Sequence, residues 1–392
     1  MAFTISQLPT NNYLLARSPL IVVAGDATVT DSTYRVVVKV YAWEGDQSSV
    51  PADPIVTLDK GQDDEGRAKF NIGPILEDLF TPNDPANYLI TNVSTGMIYN
   101  LVMEIGYTNS SAFVLESTTT VRKVVEGYGI FPQTINQSTD TPDILVSRKF
   151  MTARPTTMYA IKGQPMWFYA FYQGSAIADS EGFYWAGGGA STNVQFTTLV
   201  PTDPPVESQE FMLRQQSTST FLEANGHDTN HPINISLGSV RYDTRTINFL
   251  DELCGIGSDT ICFVNRFGVW DWLHVYAVQR KGVNVDRITY NKRISRYGKG
   301  SDAVTYDTFN ASKAVLRSKA TRTYEVNTGW ITEAHNELIQ DMFLSKDWFS
   351  LNLDVALYLT DQEVQFKKDS DVDLINYTFR FEVASNLIQD IQ

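Results

Sequence analysis

Few residues in this chain have the type and spacing to do chemistry. It holds four histidines, His227, His231, His274 and His335, and two cysteines, Cys254 and Cys262. His227 and His231 have the i, i+4 spacing of a helical metal pair. Gly226 and Pro232 argue against a helix there, and no Glu follows the first His, so the pair reads as part of a polar loop. His335 falls on an apolar helical stripe and His274 alternates with Trp270, Trp272 and Tyr276, so both read as core or edge histidines. No Cys-x-x-Cys pattern occurs, which argues against structural zinc. Cys254 and Cys262 are expected as two reduced, partly buried thiols, with a local bridge still sterically open.

The remaining motifs fail at specific positions. "DSDVD" at 369–373 opens like a calcium loop, but Leu374 stands where the loop needs Gly and Arg380 where it needs a bidentate Glu. "DDEG" at 63–66 fails the same pattern and reads as a hairpin turn. "WAGGGAS" lacks the glycine spacing and the Lys-Ser/Thr ending of a phosphate cradle. No Gly-x-Ser-x-Gly elbow is present, and no pair of carboxylates stands out for glycoside cleavage. Catalytic, cofactor-binding and metal-binding residues are therefore all expected to be absent.

Two stretches remain as candidate sites. The aromatics of "QPMWFYAFYQG" and "GFYWAGGGAS" include Trp167, Tyr169, Tyr172, Tyr184 and Trp185. Half of each run must face a core if these are strands, and the other half is a candidate subunit-interface or glycan-contact surface. In "CFVNRFGVWDWLHVYAV", residues 262–278, apolar residues alternate on either side of Asn265-Arg266-Phe267-Gly268. Asn265 and Gly268 are turn formers, and Gly268 accepts positive φ, so the four residues read as the bend of a β-hairpin. Arg266 is then either exposed at the tip or buried against a carboxylate as a structural pin.

The elements that must position these residues are mostly strands. "YRVVVKVYAWEG" alternates Tyr34, Val36, Val38 and Val40 against Arg35, Val37, Lys39 and Tyr41. "GPILEDLF" at 73–80 predicts a short helix, with Pro74 suited to its first position. Many short strands in the first 125 or so residues, without cysteine, suggest an immunoglobulin-like or fibronectin-like β-sandwich. Near the C-terminus Ile331, Ala334, His335, Leu338, Ile339, Met342 and Phe343 form one amphipathic stripe, predicting a helix over 331–345 with Thr332 as its cap. "LNLDVALYL" and "NYTFRFEVA" follow as strands with alternating apolar faces. The expected fold is mainly β, with two or three sandwich- or barrel-like domains: 1–126 (Ig-like), 127–245 (β-rich) and 246–392 (a helix packed on a sheet).

With 392 residues and 43% hydrophobic composition, the chain can build real cores. Its formal net charge of −14 gives no general attraction to nucleic acid or anionic membranes. One local exception is the basic set Lys281, Arg287, Lys292, Arg293, Arg296 and Lys299, which reads as a solvated strand-and-loop surface. No secretory leader and no apolar run of membrane-spanning length is read, and six Asn-x-Ser/Thr sequons are by-products of composition. Production and assembly in a cytoplasm follow as the expectation.

Three segments, "FVNRFGVWDW", "TGWITEAHNELIQDMFLSKDW" and "YTFRFEVASN", together resemble a pattern in virion proteins of tailed bacteriophages that infect Bacteroidota, crAss-like phages among them. "SPLIVV…YRVVVKVYAWEG…EGRAKFNIGPILEDLF" is similar to the opening domain of the same proteins. The family's pattern often has a second Gly after Asn-Arg-Phe-Gly, where this chain has Val269. The resemblance covers most of the chain, and no catalytic residues come with it. It implies a structural neck, tail-ring, hub or baseplate subunit in the virion, with copies of itself and other virion proteins as partners. The alternatives are a host-glycan-binding module built on the aromatics, a minor capsid or decoration protein, and a tail-associated glycan hydrolase.

Overall fold

The computed structural model describes residues 3–29, 31, 33–80, 98–109, 112–129, 149–173, 183–187, 194–195, 210–224, 227–237, 241–252, 257–292, 295–297, 304–306, 312–366 and 374–385. The chain is mainly β, arranged in several sheets, and among the described residues none closes into a barrel.

The N-terminal segment contains two sheets. One has three strands, Thr4–Gln7, Ile21–Gly25 and Ala68–Asn71. The other runs in the order Tyr13–Leu15, Arg122–Val125, Tyr99–Asn109, Tyr34–Trp43 and Val56–Gly61, with Ala112–Thr118 also on Tyr99–Asn109. One core lies between them: Val22 and Phe70 meet Tyr34, Val36, Val38, Val40, Leu101 and Met103. The period-2 pattern of Tyr34–Trp43 sends these residues inward, while Tyr41 and Trp43 on the outer face form a small second cluster with Val102. The short helix Gly73–Glu77 has a proline in its first turn and buries Leu76. The turn at 63–66 is not a hairpin bend. Val56–Gly61 bonds to Tyr34–Trp43 and Ala68–Asn71 bonds to Ile21–Gly25, so the turn carries the chain between sheets.

In the middle, Lys149–Phe150, Met166–Gln173 and Glu210–Ser217 form one sheet. Thr157–Ile161, Thr244–Leu250, Ile233–Leu237, Phe183–Gly187 and Val194–Gln195 form another. Thr244–Leu250 is hydrogen-bonded to this second sheet on both sides. The expected border at 245/246 therefore cuts a strand, and the sheet ends after Leu250.

The C-terminal sheet has seven antiparallel strands in the order Trp270–Val275, Asp259–Val264, Trp348–Ser350, Val355–Leu359, Thr378–Val383, Lys313–Asn327 and Gln279–Asn291. Tyr377, Phe379, Phe381 and Val383 all face its core, as their alternation predicts. The helix is shorter than expected: Asn336–Leu344, after a 3-10 turn over Glu333–His335. Ile331–Thr332 is extended because it pairs with Leu374–Ile375. Thr332 makes no side-chain cap, and its hydroxyl lies 3.0 Å from His335 Nδ1 instead. Leu338, Ile339 and Met342 bury against Ile261, Phe263 and Phe379. The "LNLDVALYL" strand starts only at Val355, because residues 351–354 turn and Asp354 takes φ of +53°.

Candidate functional site

The Asp259–Val264 and Trp270–Val275 strands pair antiparallel, Val264 opposite Trp270, and residues 265–269 join them. The amide N–H of Asn265 donates to Val269 O at 2.9 Å, and that of Gly268 donates to Asn265 O at 3.0 Å with φ of +76°. Every residue of both strands is buried. Ile261, Phe263, Leu273 and Val275 belong to the helix-covered C-terminal core. Cys262, Val264, Trp270 and Trp272 belong to a second core that also takes in Tyr13, Leu15, Val125, Phe168, Phe171 and Trp185. One hairpin thus separates two cores and fills both, which explains its near-continuous apolar run. The core reached by Trp272 draws on all three expected domains.

The bend is anchored from three directions. Asn265 is fully buried. Its Nδ2 donates to Met151 O at 2.8 Å, while its Oδ1 accepts from Phe267 N–H at 2.9 Å. Arg266 O accepts the N–H of Tyr128 at 2.9 Å, and a Cβ on Gly127 would sit 2.3 Å from that same oxygen. The Arg266 Nε donates to both oxygens of Asp341 on the helix, at 2.8 and 3.0 Å, and Tyr128 OH donates to the same carboxylate at 2.9 Å. Burial pushes Asp341 up to about 6 even against the Arg266 guanidinium. Of the two readings open for Arg266, the structure shows the pin.

Two more buried carboxylates sit on the same hairpin. Asp271 accepts from Arg154 Nε at 2.9 Å, Thr152 Oγ1 at 2.7 Å and the Trp272 amide at 2.9 Å, and the Arg154 guanidinium lies 3.6 Å from the centre of the Trp272 ring. Asp259 accepts from Tyr324 OH at 2.8 Å, Ser350 Oγ at 2.6 Å, the Thr260 amide at 2.7 Å and the Asn352 amide at 3.1 Å. Buried charge is tolerated only when paired or hydrogen-bonded, and each of these groups is used to hold strands together. His274 belongs to the same framework: its Nδ1 accepts the Ile161 amide at 2.8 Å and its Nε2 faces Pro165 O at 3.0 Å. Burial holds His274 down to about 3 and His335 down to about 4, so both stay neutral. The sequence patterns gave no sign of Arg154, Asp259 or Asp341, because lone charged residues carry no periodicity.

The aromatic candidates fall elsewhere than expected. Trp167, Tyr169 and Trp185 are buried in the central core, which corrects their assignment to a contact surface. Trp167 Nε1 donates to Trp270 O at 2.9 Å and Trp272 Nε1 returns a bond to Trp167 O at 2.8 Å, locking strand to strand. Both faces of the Met166–Phe171 run are covered, so no outward half exists to stack on sugars. Tyr184 is half-buried, and the side chain of Tyr172 lies outside the described residues. Among the histidines, His227 is buried and His231 is exposed, 2.9 Å from Asp228. No group of His, Cys, Asp and Glu among the described residues is arranged to hold a metal. Cys262 is buried, while Cys254 and the 369–373 segment lie outside the described residues. No described helix is long and apolar enough to cross a membrane.

Glu126 marks the joint between the N-terminal sheet and the helix end. It is buried, and burial together with Asp347 pushes its carboxyl up to about 7, against Arg17 and Lys346. Arg17 also donates to Leu344 O and pairs with Glu77, which in turn meets Lys346. A carboxyl raised from 4.5 to about 7 favours folding in its protonated form. That contribution is fully present below the ordinary value and is lost as pH rises through about 7. The lowered histidines act in the opposite sense, below about 6.5, so the window to test lies above it. Across pH 6–8.5 we expect Glu126→Gln to gain on the wild type by about 1.4 kcal/mol in urea unfolding. A difference independent of pH would show that Glu126 is solvated.

A two-stranded ribbon stands exposed at the end of the C-terminal sheet. Gln279–Asn291 pairs with Lys313–Asn327, but only Thr323–Asn327 of it also pairs with Thr378–Glu382. Residues 283–291 and 313–322 therefore extend past the sheet, and Ser295–Tyr297 pairs with Val304–Tyr306 in a separate two-stranded sheet. Val283, Ile288, Val315 and Leu316 are 53–69% exposed there.

Comparison with protein-family models and with curated proteins finds no match for this chain.

Proposed function

We propose that this chain is a structural subunit of a tailed-phage virion, a neck, tail-ring, hub or baseplate part that works by associating with copies of itself and docking other virion proteins. The projecting ribbon is the observation that carries the assembly half of this reading. A two-stranded ribbon is at best marginally stable alone in water, and one that exposes Val283, Ile288, Val315 and Leu316 fits a surface completed by a neighbour. Two further features support it. The three C-terminal segments that carry the phage resemblance lie together in one core and its sheet. Three of the described buried carboxylates, Asp259, Asp271 and Asp341, hold strands and helix together.

The glycan-binding alternative is weakened, because three of its five aromatics, Trp167, Tyr169 and Trp185, are interior. The virion assignment is tested by mass spectrometry of gradient-purified particles from a phage carrying this gene. The chain should co-purify with the particle in fixed copy number relative to the capsid protein. Recovery only in the soluble lysate fraction would contradict it.

A further inference from the structure

We infer that the ribbon of Gln279–Asn291 and Lys313–Asn327 is an assembly arm that docks on the net-acidic body of a second copy of this chain. The inference deepens the subunit reading and rests on it. Charge is unevenly distributed along the chain. Eleven of the chain's 31 Lys and Arg fall in residues 279–327 against four carboxylates, so this stretch carries +7 and the rest of the chain −21. One copy therefore joins a basic projection to a net-acidic remainder, a charge complementarity that a head-to-tail contact between copies can use. Of the four carboxylates, Glu325 is already paired within the sheet, to Arg280 at 3.0 Å and Arg380 at 3.2 Å.

Reach and surface chemistry point the same way. Nine paired residues past the sheet project about 30 Å, and every described residue from Arg280 to Lys292 is exposed. The strand Gln279–Asn291 is the last in its sheet, so its outer edge offers unpaired backbone groups. Apolar and basic side chains alternate in space: Val283 lies opposite Arg322 and Ile288 opposite Arg317. An arm meant only for phosphate backbones has no use for exposed Val283, Val285, Ile288 and Leu316. Against another copy, those side chains supply the desolvated contact, and Arg287, Lys319 and Arg322 supply steering and register.

The test uses the full chain and two variants. In the first, residues 285–320 are replaced by Asn-Gly, which keeps Asn284 opposite Thr321 and leaves the body sheet intact. The second is the full-length Val283→Ser/Arg287→Glu/Ile288→Ser/Arg322→Glu. Mass photometry and sedimentation velocity give the oligomer distribution, and circular dichroism and melting temperature report folding. The wild type is expected to assemble, with affinity falling at least about tenfold as salt rises from low to high. Both variants, folded like the wild type, are expected to stay monomeric, the full-length one near the wild type's 44.0 kDa and the shortened one below it. Variants that assemble as the wild type does would overturn the arm and leave the subunit reading standing. A wild type that is monomeric at every concentration would overturn the second copy as occupant, with the particle analysis deciding the subunit reading separately. Retarded duplex DNA with the wild type, lost in both variants while its oligomers persist, would reassign the arm to nucleic acid.

Discussion

Asp271→Ala is expected to lower the unfolding free energy by about 3–5 kcal/mol. The substitution strands the Arg154 guanidinium, whose side chain is 2% exposed, without the carboxylate that neutralises it. Burial already pushes Arg154 below its ordinary value, with Asp271 opposing that shift. Removing Asp271 also orphans the hydroxyl of Thr152 and the amide of Trp272. The loss should appear in the urea midpoint of the purified protein. Arg154→Met/Asp271→Leu should recover much of it, because replacing a whole buried pair by apolar groups is far less costly than breaking it. Equal losses in the single and double variants would show that the pair contributes through packing alone.

Arg266→Ala should have a comparable effect, again about 3–5 kcal/mol, by a different route. Asp341 has no exposed side-chain surface, and it would keep only the Tyr128 hydroxyl and the weak 3.4 Å contact from the backbone N–H at 266. The bend would also lose its grip on the helix, while Asn265 still held it to Met151. The sign of the pH dependence is fixed. Asp341 is already raised to about 6, and without Arg266 it resists ionisation further. The cost of Arg266→Ala is therefore greatest at high pH and shrinks as pH falls and Asp341 takes a proton. Urea unfolding of both proteins at pH 5.5 and pH 8 measures it. A cost that grows on acidification would contradict the pin.

What could be read from the sequence was whatever depends on local repetition. The strands at 34–43 and 378–383, the short helix at 73–77 and the bend at Asn265–Gly268 follow from period-2 alternation and turn chemistry. Where tertiary pairing competes, the local signal misleads. The apolar stripe from Ile331 suggested one continuous helix, yet Ile331–Thr332 pairs with Leu374–Ile375 and the helix proper starts at Asn336. The 63–66 turn looked like a hairpin because adjacency in sequence does not reveal which sheet each strand joins.

The candidate sites illustrate the same divide. The aromatics at 167–185 were assigned an outward half because alternation normally implies one wet face. Met166–Phe171 is covered on both sides, and no local pattern shows how many layers lie above a strand. The Arg154–Asp271 and Arg266–Asp341 pairs join residues 117 and 75 positions apart, beyond any motif. The basic cluster at 281–299 was visible in composition, but the point at which the ribbon leaves the sheet depends on where the pairing with Thr378–Glu382 stops.

The proposed subunit builds a closed assembly from copies of itself. Electron microscopy of the concentrated, purified protein tests it most directly. Closed rings of a single size are expected in the class averages. Monomers alone, or elongated rods of a fibre, would contradict it.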